Sequence, residues 1–104
     1  MKVSRLREIS ALCSEVNKYD DYNRKSKIMS DIFPEIVSLF ESYQRLMTPH
    51  NQEDCEEFLE KFNILLQTYT KNKNSQTFEK CMSGAILLID ITLAALNNVP
   101  MSHQ

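Results

Sequence analysis

The sequence predicts an all-α protein, an antiparallel four-helix bundle of up-down-up-down topology, with helix 2 kinked near Pro34 and helix 4 the most buried. Three observations carry this. Apolar residues recur at three- and four-residue spacing in four separate segments. Glycine occurs once in 104 residues and proline three times, whereas β-hairpins need turn glycines. The stretch from Gly84 to Leu96 is polar only at Asp90 and Thr92. A helix apolar all round is enclosed by its neighbours.

Helix 1 is expected over Ser4–Tyr19. Leu6, Ile9, Leu12, Cys13, Val16 and Tyr19 share one face, and Ser4 is the expected N-cap. Asp20-Asp21-Tyr22-Asn23 reads as a polar turn.

Helix 2 is expected over Arg24–Met47, with Pro34 inside it. Apolar residues from Ile28 to Met47 keep a single helical phase across that proline. Two independent helices have no reason to share a phase, so one kinked helix is predicted rather than two. Pro34 falls on the polar side, where water can solvate the Ser30 carbonyl it frees.

Thr48-Pro49 is a start signal, Thr as cap and Pro in the first turn. Helix 3 then runs to about Thr70. Its inward stripe is Cys55, Phe58, Leu59, Phe62, Leu65, Leu66 and Tyr69. Its first half is crowded with acids, which the helix dipole favours there. Helix 4 is opened by Ser75 or Thr77 and runs to about Asn97, with Asn97, Asn98 and Pro100 as the stop. Gly84 lies inside it, at a cost of about 1 kcal/mol against alanine. The small run Ser83-Gly84-Ala85 therefore points to a close helix–helix approach, and an added methyl is expected to harm it. Short loops favour antiparallel neighbours. One domain, residues 1–104, accounts for the length, with 101–104 expected to be a flexible tail.

Composition excludes several functions. The net charge of −2 is spread over both signs. The basic residues fall in two groups, Lys2, Arg5, Arg7 and then Arg24, Lys25, Lys27, which do not merge into a stripe with aromatics between them. Nucleic-acid binding is therefore not expected. The apolar run in helix 4 is shorter than the roughly 20 residues of a membrane span, so no membrane partner is expected. Cys13, Cys55 and Cys81 are odd in number and far apart, with no CxxC pair. They read as buried free thiols, which fit a reducing compartment. With no apolar leader at the N-terminus, a cytoplasmic protein is expected.

Candidates for chemistry are few. Asp90 sits in an apolar helix, where a carboxylate finds a partner, meets water at an edge, or takes up a proton. Glu53, Glu56, Glu57 and Glu60 make two Glu-x-x-Glu spacings on one helix, and carboxylates so placed can hold Mg²⁺. In this the segment resembles half the site of the all-α nucleotide pyrophosphohydrolases of the MazG-like class, which pair it with a Glu-x-x-Asp helix. Here the second helix has Glu79 and Asp90 eleven apart, with Met82 and Leu87 where the second motif needs acids. A degenerate Mg²⁺-dependent hydrolase is thus the alternative reading, tested by whether Glu56 or Glu57 meets Asp90. His50 and His103 have no ligand at metal spacing, and no glycine-rich loop cradles phosphate. No catalytic, cofactor-binding or metal residue is assigned, and no cofactor is expected.

What remains is surface. Helix 2 carries an apolar arc wider than the usual stripe of roughly 100°. That width means either an exposed interface edge or a helix packed between two neighbours. Phe33, Val37 and Phe40 lie on one edge and are the expected partner-binding residues, since aromatics dominate interfaces. Ile64, with Glu57 and Glu60 beside it on helix 3, is the second candidate patch. The expected function is a small non-enzymatic module that binds another protein, as an inhibitor, immunity protein, chaperone or adaptor does. The class rests on fold-level analogy. A structural homodimer subunit is the further alternative.

Overall fold

A computed structural model of the protein describes residues 3–97. The expected tail at 101–104, and His103 with it, lie outside the described residues. Among those described there are four helices and no strand: α1 (Ser4–Val16), α2 (Tyr22–Gln44), α3 (Pro49–Lys71) and α4 (Ser75–Asn97). α2, α3 and α4 have 23 residues each and α1 has 13. No described helix is long and apolar enough to cross a membrane.

The helix starts follow side-chain capping more closely than the apolar periodicity does. Asp21 caps α2, its carboxylate accepting from the Asn23 amide at 3.0 Å, so the helix begins at Tyr22 and not Arg24. Thr48 caps α3 as expected, accepting from the Asn51 amide at 3.3 Å. The start of α4 is set by Asn74. Its side-chain oxygen accepts from the Thr77 amide at 2.9 Å, and the Thr77 hydroxyl accepts from the Asn74 amide at 3.3 Å. That is a reciprocal box, with threonine where glutamate is usual. Ser4, the expected cap of α1, is instead its first residue, and Val3 in the cap position makes no side-chain bond. α1 ends at Val16. Tyr19 follows in a tightened turn, its amide donating to the Val16 carbonyl, and the Arg24 guanidinium lies 4.3 Å from its ring centre.

α2 runs unbroken through Pro34. The proline and Ser30 are both exposed, so the carbonyl without an amide donor faces water. Contacts fix the helix directions. Ser26 hydrogen-bonds Tyr69, and further along Phe33 meets Phe62 at 6.2 Å between ring centres. α2 and α3 are therefore antiparallel. Tyr69 meets Phe78 at 5.6 Å, and Leu65 lies against Gly84, so α3 and α4 are antiparallel too. Tyr22 and Lys25 at the start of α2 meet Phe78 and Glu79 at the start of α4. α1 packs on α2 and α4, tied to α2 by a two-pronged pair from the Arg5 Nε and Nη2 to the two Glu35 oxygens at 2.5 and 2.7 Å. That guanidinium holds the Glu35 carboxyl below its usual range.

The core is centred on four rings. Phe33 touches Phe62, Tyr69 and Phe78, all edge-on or tilted, as aromatic quadrupoles favour. Phe33 and Phe40 are fully buried, which corrects the expectation that they anchor a partner. The wide arc of α2 reflects its three neighbours. Phe33 faces α3 and α4, while half-buried Ile28, Ile32 and Leu39 lie on the side where Glu35 meets α1. Arc width measures how many neighbours a helix has and says nothing about which edge is free.

α4 touches all three other helices and is the most enclosed of the four. It is not sealed all round, however. Lys80, Ser83, Leu87, Asp90 and Ala94 form an exposed stripe at four- and three-residue intervals. Three neighbours leave a helix one open side, and Asp90 lies on it, solvated. Thr92 is the buried polar residue, and its hydroxyl donates to the Leu88 carbonyl at 2.7 Å.

The close approach at Gly84 is real but soft. A methyl there would come within 2.7 Å of the Leu65 Cδ1 and 3.5 Å of the Phe62 Cδ1. Leu65 is half-buried and borders an open depression beside Gly84, so its tip can turn outward. The expected harm from an added methyl is thus largely relieved. Gly84→Ala is expected to change stability by less than the ~1 kcal/mol propensity gain. In a Leu65→Ala background, the full gain should appear. Urea midpoints of the four chains of this double-mutant cycle measure it, and equal effects in both backgrounds would show that Leu65 does not resist the methyl.

Candidate interaction face of α3 and α4

α3 turns Cys55, Leu59, Phe62 and Tyr69 into the core. One helical step to the side, Phe58 and Leu65 are half-buried along the seam with α4. A further step out lie Glu57, Lys61, Ile64 and Thr68, all exposed. α4 adds Lys80, Ser83, Leu87 and Ala94 from across the seam. Two depressions lie on this seam. One is lined by Leu65, Glu79, Lys80, Ser83, Gly84 and Leu87. The other is lined by Asp54, Glu57, Phe58, Ile91 and Ala94, among others. The first is almost wholly apolar because glycine leaves a gap between two leucines.

The exposed apolar side chains concentrate here. Ile64 is 64 % exposed and Leu87 48 %, with Leu46, at 46 %, standing apart at the end of α2. Charge rims the patch. The Lys61 ammonium lies 5.4 Å from the Phe58 ring centre, and His50 pairs with Asp54 at 3.5 Å. Of the residues expected to bind a partner, Ile64, Glu57 and Glu60 are therefore accessible and neighbouring. Val37 is half-buried, and Phe33 and Phe40 are in the core. Leu87 was hidden in the sequence because α4 reads as apolar throughout. Its phase with Lys80, Ser83 and Asp90 was the available signal for an outward face.

The remaining candidates for chemistry stay apart. Glu53, Glu56, Glu57 and Glu60 are exposed, and no group of three or more His, Cys, Asp or Glu among the described residues is placed to hold a metal ion. The basic residues at the two ends of α1 and α2 are engaged separately, Arg5 with Glu35 and Glu8, and Lys25 with Glu79 at 3.1 Å. The three thiols are free and buried. Burial pushes Cys13 up to about 11, with the Asp90 charge adding to the effect, and pushes Cys81 up to about 12. The thiolate is the reactive form, so neither is a nucleophile near neutral pH. No family model, curated protein or solved structure matches the chain.

Proposed function

We propose that the protein acts by binding another protein through the α3–α4 face, without chemistry of its own. The observation that supports this best is the coincidence of the two most exposed large apolar side chains, Ile64 and Leu87, with an apolar depression and a charged rim. Contiguous apolar surface rimmed by charge is the usual mark of an interaction site. The hydrolase reading needs carboxylates from α3 and α4 converging on one point, and the arrangement of the described acids does not favour it. Three reduced, buried thiols fit a protein that works in a reducing, cytoplasmic setting.

The test is a double substitution on the face, Ile64→Glu with Leu87→Glu. Both positions are exposed, so helicity and the urea midpoint should stay close to wild type, within about 0.5 kcal/mol each. Affinity capture from the native host should lose the proteins that the wild-type chain retains. An unchanged set of captured proteins from a folded double variant would remove this face from consideration.

A further inference from the structure

The charge pattern of the α3–α4 face identifies a partner, and the inference rests on the reading of that face as a protein-binding surface. Charge is unevenly distributed along it. The end where α3 finishes and α4 begins carries exposed Lys71, Lys73 and Lys80 against one acid, Glu79, which Lys25 engages, and the opposite end carries exposed Asp54, Glu57, Glu60 and Asp90 against one base, Lys61. Between the two ends lie Ile64 and Leu87. Tyr69 is level with Phe78, and Leu65 with Gly84. On that register Lys80 stands about one helical turn beyond Ile64 toward the basic end. Glu57 stands about one turn beyond Leu87 toward the acidic end. The two charges are thus spaced symmetrically about the middle of the apolar patch.

We infer that this face pairs with the same face of a second copy of the chain, antiparallel about a two-fold axis through the middle of the patch. A two-fold interface must be self-complementary, every contact occurring twice. Turned end for end, the second copy brings its Leu87 level with Ile64 and its Glu57 level with Lys80. Its basic end then covers the acidic end of the first copy. A parallel pairing in the same plane would set lysine beside lysine and glutamate beside glutamate, which like-charge repulsion disfavours. The apolar centre supplies burial, the two lysine–glutamate pairs supply direction, and the gap at Gly84 leaves room for an incoming side chain.

The experiment is sedimentation of the whole chain at low ionic strength across micromolar concentrations, with far-UV spectra of every variant. Wild type is expected to dimerise. Lys80→Glu and Glu57→Lys should each weaken self-association about tenfold or more, because each sets like charges opposite one another twice. An equimolar mixture of these two variants should recover the dimer, since every contact in the mixed pair joins opposite charges. A mere folding defect could not be cured by mixing. A monomeric wild type would overturn the inference, as would a mixture that stays monomeric while both variants keep their helicity. A monomeric wild type whose binding of a different protein depends on Leu87 would overturn the second copy alone, and the reading of the face would stand. Self-association and captured proteins that both persist unchanged in a folded Ile64→Glu, Leu87→Glu chain would remove both.

Discussion

Phe33→Ala is expected to destabilise the protein by about 3–5 kcal/mol, the range for deleting a buried aromatic ring. Phe33 is fully buried and its ring touches one ring from α4 and two from α3. Its loss opens a cavity that no single helix can close. Domains of this size are stable by only about 5–15 kcal/mol, so Phe33→Glu, which adds a buried charge, should leave no folded population. Urea denaturation followed by far-UV ellipticity measures the first, and a spectrum without helical minima shows the second. A folded Phe33→Glu chain would mean that the ring is accessible and that the edge of α2 is a surface after all.

A second large effect is expected at alkaline pH. Burial raises Cys13 to about 11 and Cys81 to about 12 from an ordinary value of 9.0. Between the ordinary and the raised values the folded chain keeps protons that the unfolded chain has lost. Unfolding then releases protons, so stability falls as pH rises. The contribution is fully present below the unfolded value and disappears as pH climbs through the folded ones. By pH 10 the loss is about 1–2 kcal/mol per thiol. Urea midpoints at pH 7.5 and pH 10 (values chosen to bracket roughly the ordinary thiol range) should therefore differ clearly. The difference should shrink in a Cys13→Ala, Cys81→Ala chain. Equal slopes in the two chains would show that the thiols are solvated in the folded state.

The helices were legible in the sequence because periodicity and turn residues agree in all four segments. Thr48-Pro49 was legible as a start because both residues act locally. Asp21 and Asn74 were less so. Each lies in a polar run with several candidate caps, and only the backbone geometry selects one. The thiols were read as buried from their helical phase, and they are. The face was harder. Ile64, read on the acid face of helix 3, is in water, but Phe33, read on an edge of the wide arc of helix 2, is in the core. The difference depends on where neighbouring helices lie, which is a property of the assembled bundle. For Asp90 the sequence left three outcomes open, a partner, water at an edge or a proton, and the structure has the second. One carboxylate in an apolar run looks buried when the run is read alone, but its phase with Lys80 and Ser83 marks the open side.

The shortness of α1 has a consequence in time. The rings that meet at Phe33 come from α2, α3 and α4, and α1 contributes none of them. The α2–α3 and α3–α4 pairs close short loops, which is fast. α1 must also find α4, across the two intervening helices. Its seat between α2 and α4 does not exist until those helices have met, so α1 docks late. Released first on opening, it would expose its own buried Leu6, Ile9, Cys13 and Val16 before the ring cluster is disturbed. Breathing of the native state is therefore concentrated at the N-terminal helix. α1 borders the open stripe of α4 that carries Leu87, since the Asp90 charge on that stripe acts on Cys13, so release of α1 is felt at one edge of the binding face. The part of the chain that docks last thus adjoins the binding surface.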